Sequence, residues 1–172
     1  YYEQGELVAV CTFGKPASPN LCDGVCGKLY RHKVFELNRL LSISDTLILS
    51  YFVGKCLRNL RKENLIIISY ADTAMCHVGK IYQASNFLYT GATKKRTDKY
   101  TEGGKHSRHY TNESNDKRKV RSSKHRYIYF CANKWIKKLF MNNLEYEIYP
   151  YPEGDSGRYT FGHILSPQIV YM

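Results

Sequence analysis

The feature that most constrains the fold is a four-residue apolar run at positions 65–68, which ends abruptly in polar residues. Three of the four residues are isoleucine, and charged residues occupy positions 61–63 just before them. Such a run is typical of a strand buried on both faces, inside a sheet covered by helices. Ser69, Tyr70 and Asp72 follow at its carboxyl end, where open α/β sheets bind ligands. The sequence therefore predicts a central strand that carries a functional site at its end.

The residues after this strand predict a polar loop, a short helix and a second strand. The loop contains Cys76, His77 and Gly79, and the second strand is expected over residues 87–90, closed by Gly91. The helix is predicted from side chains that recur at its 3.6-residue period: Val78, Ile81, Tyr82 and Ser85. The aspartate and the histidine would flank the loop, and the tyrosine would lie one to two turns into the helix.

The rest of the chain predicts further strands and two amphipathic helices. Strands are expected over residues 5–13, 34–43, 126–131 and 163–165. Helices are expected over residues 46–61, capped by Ser44 or Asp45, and over residues 134–144, with Leu139 and Phe140 on the inner face. Residues 15–28 and 149–154 are rich in proline and glycine and predict a loop and a rigid turn. This order predicts an α/β or α+β domain of three layers, with a mixed central sheet flanked by helices.

A chain of 172 residues suits one domain, expected to span residues 1–172. Residues 3–6 resemble a hairpin turn, so the partner of the first strand is expected upstream of Tyr1, in elements that this sequence lacks. No apolar run approaches the length of a membrane span, so no membrane partner is expected. Cys22 and Cys26 form a lone C-x3-C pair, which favours free thiols over a zinc site. Six scattered cysteines without an export signal indicate a reducing, cytoplasmic location.

Positive charge is concentrated in one segment of the chain. The net charge is +11, and residues 94–126 hold twelve Lys or Arg against four acidic residues. Such a segment favours a polyanion such as DNA, through the release of counterions. The alternative is a solvated basic loop, because part of the segment has low complexity. We predict a basic insertion at about residues 92–125 whose DNA-binding residues are Lys94, Lys95, Arg96, Lys117, Arg118, Lys119, Arg121, Lys124 and Arg126.

The strand at residues 34–43 carries an arginine on its apolar face. Leu37, Leu41 and Ile43 would share that face with Arg39, while Glu36 would point the other way. Because burying an unpaired charge is expensive, this arginine needs a partner. An ion pair with Asp72 or Glu36 satisfies that need, and so does an anionic ligand.

Several stretches together resemble the Mom-type adenine-modification proteins of phages. They are ELNRL at residues 36–40, SYADTAMCHVGKIYQASNFLYTG at 69–91, KHRYIYF at 124–130 and YPYPEG at 149–154. The resemblance covers about residues 5–154, and the order of elements is similar to that of the GNAT acyltransferase superfamily. It implies an enzyme that transfers a carbamoylmethyl-type group to the N6 amino group of adenine in double-stranded DNA, in the cytoplasm of the bacterial host. The modification would protect phage DNA from host restriction.

The resemblance also implies roles for individual residues. Asp72 would act as general base or orient the adenine, Tyr82 would protonate the leaving group, and Arg39 would bind the donor or hold Asp72. His77 is a candidate base, metal ligand or helix cap, and no metal is expected. The same residues allow plainer roles, with Asp72 as a helix cap and Tyr82 as a core residue. Residues expected to bind substrate or donor are Asn38, Ser50, Tyr51, Ser69 and Tyr70.

The donor itself is not identified by the residues. The resemblance allows acetyl-CoA or another acyl-type donor, but the glycine-bearing pyrophosphate loop of acyltransferases is absent at residues 42–47. Two other functions fit the sequence: a GNAT-like transferase with another acceptor (tRNA, a protein amine or a small molecule), or a nucleic-acid-binding module without catalysis. The oligomeric state is not predicted.

Overall fold

The computed structural model describes residues 1–100, 117–154 and 168–171. Its main sheet has five strands in the order β3-β4-β5-β9-β6. In sequence these are β3 (Ala9–Gly14), β4 (Val34–Ser42), β5 (Leu65–Asp72), β6 (Leu88–Ala92) and β9 (Lys124–Cys131). Only the β4–β5 pair is parallel, and the other three pairs are antiparallel. The predicted mixed central sheet, with the apolar run buried in its middle strand, is confirmed.

The parallel pair separates at the end where the site was predicted. β4 and β5 pair over three residues each, ending at Glu36 and Ile68. Beyond that point β4 continues beside β3, while β5 remains paired with β9 as far as Asp72. The carboxyl ends of the two strands are therefore free of each other, which opens the sheet at that end.

Helices cover both faces of this sheet. One face packs against α1 (Pro19–Cys26) and α4 (Lys134–Asn142), through residues such as Val25, Ile66 and Phe140. The other face packs against α2 (Leu49–Leu60) and lies close to α3 (Lys80–Ala84), with Val53, Leu57, Ile67 and Tyr127 in its core. The three predicted layers are thus present, and the amphipathic patterns of α2 and α4 explain why these helices pack here. Leu139 is the exception in α4, because its side chain is 42% exposed.

The predicted loop at residues 15–28 is wrong, because it contains α1. Pro19 stands in the first turn, where a proline costs no hydrogen bond, and Gly27 ends the helix with a φ of +81°. Cys22, Val25 and Cys26 recur at helical spacing and are buried. Both cysteines are free thiols that pack in the core.

Two predicted boundaries near the amino terminus are also wrong. The strand expected at residues 5–13 is divided into β2 (Glu6–Leu7), which forms a hairpin with β1 (Tyr2–Glu3), and β3. The hairpin turn itself is confirmed, and β3 pairs with β4 at the edge of the main sheet. α2 starts at Leu49 instead of residue 46, because Ser44 caps a preceding turn by accepting from the Leu47 amide at 3.1 Å.

The basic insertion forms strands instead of a loop over its described residues. β7 (Arg96–Lys99) and β8 (Lys117–Arg121) form an antiparallel ladder, and β10 (Ile169–Tyr171) pairs with the other edge of β8. Thr93 and Lys124 join this ladder to the main sheet through two hydrogen bonds of 2.9 Å. We call residues 93–99 and 117–123 the basic arm. The strand predicted at residues 163–165 lies outside the described residues.

Candidate functional site

A cavity of about 210 Å³ opens where β4 and β5 separate. Glu36, Tyr70 and Lys124 lie on one face of the sheet, on three adjacent strands, and form its floor. The basic arm forms the rest of the wall, through Thr93, Lys94, Arg96, Arg121 and Ser122. The cavity therefore combines one carboxylate, one phenol and four cationic side chains.

Asp72, the predicted catalytic carboxylate, lies at the edge of this cavity and in the wall of a second one. Its Oδ1 accepts from the Ala74 amide at 3.0 Å and from the Ser122 hydroxyl, and its Oδ2 is 3.7 Å from the Lys124 ammonium. The second cavity, of about 590 Å³, is also lined by Lys95 and Lys119 of the basic arm. Asp72 is the amino-terminal cap of a 3₁₀ turn at Thr73–Met75, whereas the cap position of the predicted helix, α3, is occupied by Gly79. The Oδ2 of Asp72 remains directed to the cationic side of the site.

Glu36 is the residue that the sequence interpretation missed. It was assigned only as a possible partner for Arg39, yet it lines the first cavity. Burial raises the pKa of Glu36, and the positive charges of Lys124 and Arg39 oppose that rise. A carboxylate with a raised pKa in a cavity is a common feature of catalytic acids and bases. The signal in the sequence that could have identified Glu36 was its position as an acidic residue in the buried half of a strand that precedes a helix.

Tyr70 lines the first cavity with Glu36, whereas Arg126 lines a separate cavity with Thr90 and Tyr146. Burial raises the pKa of the Tyr70 phenol well above its usual range, and the charge of Arg126 opposes this. Arg126 donates to the hydroxyl and carbonyl oxygens of Thr90 at 2.9 and 2.8 Å, and its guanidinium stacks 3.3 Å from the centre of the Tyr146 ring. This arginine, predicted to bind DNA, is thus held by contacts within the protein.

Tyr82 and Ser69 lie on the opposite face of the sheet from Tyr70 and Asp72. The Tyr82 ring packs 5.5 Å from Phe87 and 5.3 Å from Tyr127, which confirms the alternative that it is a core residue. Burial raises the pKa of Tyr82, and the neighbouring Ser69 hydroxyl opposes the rise. That hydroxyl is buried and donates to the Leu37 carbonyl at 3.0 Å, across the gap between β4 and β5. The structure therefore does not bring Tyr82 and Asp72 together.

Arg39 and Asn38 lie outside the cavities. β3 and β4 change register between Thr12 and Phe13, and this bulge leaves Asn38 without a partner in the ladder. A bulge shifts by one residue the alternation of side chains between the two faces of the strand. Leu41 and Ile43 are therefore 61% and 76% exposed, and the predicted apolar face is wrong. Arg39 is exposed and donates to the Asn38 carbonyl at 2.8 Å, while Asp72 pairs with Lys124.

The other predicted site residues lie near the open end of the sheet without lining these cavities. Ser50 and Tyr51 are in the first turn of α2, and the Tyr51 ring is 58% exposed between Lys55 and Arg58. The backbone amide of His77 donates to the Asp72 carbonyl at 3.2 Å, in the turn before α3. Among the described residues, no three His, Cys, Asp or Glu side chains are grouped so as to hold a metal ion.

The most distinctive block of the sequence, residues 69–91, is held in place by Tyr127. The Tyr127 hydroxyl donates to the Val78 carbonyl, and its ring lies so close to Gly79 that a side chain there would be 2.5 Å from it. Gln83 donates to the same carbonyl at 2.9 Å and to the Pro152 carbonyl at 3.3 Å. Much of this block is thus explained by packing behind the site.

Of the nine predicted DNA-binding residues, six line the two cavities: Lys94, Lys95, Arg96, Lys119, Arg121 and Lys124. Arg121 also pairs with Asp98 at 3.3 Å. Lys117 and Arg118 lie further along β8. Across the described ranges, no helix is long and apolar enough to cross a membrane.

The site places two carboxylates, Glu36 and Asp72, among cationic side chains at the carboxyl end of the central strand of an open α/β sheet, where proteins of this architecture bind their ligands. The chain belongs to the Mom protein family, whose family model matches residues 1–153. Membership of this family indicates a phage protein that modifies DNA and thereby counters restriction. A search of curated proteins found no match.

Proposed function

We propose that this protein transfers a small acyl-like group, of the carbamoylmethyl type, to the N6 amino group of adenine in double-stranded DNA. The observation that carries the proposal is the pair of cavities that unites Glu36 and Asp72 with the cations of the basic arm, in a chain of the Mom family. The proposed scaffold is a single GNAT-like domain over residues 1–172. The separation of β4 from β5 supports it by analogy of fold. The protein would act on phage DNA in the bacterial cytoplasm.

The basic arm supports the choice of a DNA substrate. Six cationic side chains around the two cavities would neutralise backbone phosphates, and Asp98 is the single acid on the described part of the arm. The adenine amino group is paired inside a duplex, so an enzyme that acts on it must turn the base out of the stack. The first cavity has room for one base, and the Tyr70 ring in its wall offers a surface for stacking.

Two carboxylates are available for the chemistry. The reaction forms a bond between N6 and the donor carbon, releases a proton from N6, and leaves the donor's leaving group with the electron pair of the broken bond. Glu36, whose pKa is raised by burial, would accept the proton, and the Oδ2 of Asp72 would orient the amino group. Lys124, beside Asp72, would stabilise negative charge that develops during transfer. The step balances with any donor that carries the transferred group on a leaving group.

The test is mass spectrometry of nucleosides digested from the DNA of cells that express the parent protein or one of three variants. We expect a new adenosine species with the parent and with the control Glu6→Gln, since Glu6 is exposed and remote from the cavities. Glu36→Gln and Asp72→Asn should lower its yield by about a hundredfold or more, the usual effect of losing acid–base catalysis. Modification at parental yield in both variants would refute the assigned roles. Unmodified adenine with every protein, while DNA is still bound, would favour another acceptor or a binding module.

A further inference from the structure

A second group of cations lies at the end of the central strand that is remote from the cavities. Arg58 is in the last turn of α2, and Arg61 and Lys62 belong to the 3₁₀ turn that follows. With three amide side chains, Asn59, Asn64 and Asn133, they line an open cavity of about 340 Å³. No carboxylate is among these lining residues in the described part of the chain. An open cavity walled by cations and amides is suited to an anion.

The start of α4 borders this group, because Asn133, the amino-terminal cap of α4, lines the same cavity. The Arg61 Nε donates to the Ala132 carbonyl at 3.2 Å, which fixes the end of α2 beside the start of α4. Lys134 and Trp135 follow immediately, and the Trp135 side chain is 81% exposed. Lys55 stands one turn before Arg58 on the same side of α2. We define the α2–α4 face as Lys55, Arg58, Arg61, Lys62, Lys134 and Trp135.

The α2–α4 face is separate from the catalytic site. The cavities lie at the Asp72 end of β5, whereas Arg61 and Lys62 precede its other end at Leu65, about 23 Å away for an eight-residue strand. α2 packs on the sheet face opposite to Tyr70 and Asp72, whereas α4 packs on their own face, so the separation is one of distance along the strand. Phosphates bound here are therefore additional to those bound by the basic arm.

We propose that the α2–α4 face is a second, sequence-independent contact for DNA, which binds the backbone of the duplex flanking the target base. This inference rests on the proposed function, in which DNA is the substrate. Five cations against one nearby acid, Glu63, complement a polyanion. Lys33 also belongs to this neighbourhood, where its ammonium donates to the Glu63 carbonyl at 3.3 Å.

The test uses the sole tryptophan of the chain as a reporter within the face. A non-specific 30-base-pair duplex is titrated into the full chain, and affinity is measured by anisotropy at several salt concentrations while Trp135 fluorescence is recorded. We compare the parent with Arg58→Gln/Lys62→Gln and with a control of equal charge, Lys28→Gln/Lys80→Gln, whose two lysines are exposed and outside the face. The duplex should shield Trp135 from acrylamide quenching in the parent.

For each lost phosphate contact the slope of log K against log salt should fall by about 0.9, and affinity near 0.1 M salt should fall by about eightfold. The double variant should therefore bind up to about sixtyfold more weakly, while the control keeps the parental slope. If the double variant matches the control and Trp135 stays accessible to acrylamide on bound duplex, this inference fails and the proposed function stands. If the variant loses affinity only for a single-stranded RNA, the face binds RNA and the inference is overturned. If the parent binds no DNA at any salt, the proposed function fails as well.

Discussion

The contact between Gly79 and Tyr127 gives the most direct test of how the site is supported. Gly79 has a φ of +73°, which costs an L-residue about 1–2 kcal/mol. A β-carbon there would also lie 2.5 and 2.8 Å from two carbons of the Tyr127 ring. Tyr127 is fully buried and hydrogen-bonded to Val78, so the ring cannot move aside freely. Overpacking of this kind costs about 1–3 kcal/mol, so Gly79→Ala should destabilise the fold by about 2–5 kcal/mol in total.

Two other glycines separate the two contributions. Gly5 has a φ of +90° in the turn between β1 and β2, with nothing within 4 Å of an added β-carbon, so Gly5→Ala should cost only the backbone part, about 1–2 kcal/mol. Gly54 lies inside α2 with nothing within 4 Å of an added β-carbon, so Gly54→Ala should stabilise the protein by about 0.5–1 kcal/mol. Urea titration followed by far-UV circular dichroism measures all three. A Gly79→Ala variant no less stable than Gly5→Ala would refute the argument from the Tyr127 contact.

Three further predictions concern the charges and thiols around the site. Burial favours neutral Glu36, so the stability from its raised pKa is present below the unfolded value of about 4.5 and is lost as pH rises through the folded value. The urea midpoint of Glu36→Gln minus that of the parent should therefore be larger at about pH 7.5 than at about pH 4. An equal difference at the two pH values would contradict this. Arg126→Lys loses the planar fork on Thr90 and the stacking on Tyr146, so it should lower the free energy of unfolding by about 1–3 kcal/mol, measured by urea titration. An unchanged midpoint would assign Arg126 to DNA contacts instead. Alkylation at about pH 8, followed by peptide mass spectrometry, should label exposed Cys76 first, because the other five thiols are buried or half-buried and less accessible to the reagent. Burial raises the pKa of Cys11 and Cys26 to about 12 and that of Cys131 to about 11, so faster labelling at any of these would refute the burial argument.

The sequence was sufficient to predict the central strand and the two long helices. A strand whose consecutive residues are all apolar avoids water only if both faces of its sheet are covered. Phe52, Val53 and Leu57 recur at the 3.6-residue spacing of a helix, so their stripe predicts an amphipathic helix. α1 was missed because proline and glycine were taken as signals of a loop, although Pro19 and Gly27 stand at positions where a helix accepts them. Local residue preferences do not distinguish a short, bounded helix from a turn.

The cavities lie at the end of the strand where the site was predicted, but several of the predicted site residues do not line them. Residues along a strand alternate between faces, so Tyr70 and Asp72 share one face while Tyr82 reaches the other from α3. The bulge at Asn38 depends on how β4 pairs with β3, and the pattern of apolar residues within β4 alone does not predict that pairing. Glu36 is therefore placed over the cavity by pairing between distant segments. Pairing of that kind also explains why the strands of the basic arm were not predicted.

The basic arm continues the ladder of β6 and β9, and this restricts how its length can vary. The two strands face each other across hydrogen bonds, so a residue added to one requires a residue added to the other, or a bulge results. Each added pair would extend the reach of the arm by about 3.3 Å. One pair would also reverse which side chains beyond it face the cavities, whereas two pairs would restore them. Related proteins with longer or shorter arms should therefore differ by multiples of four residues, so the reach of the arm beyond the main sheet would change in steps.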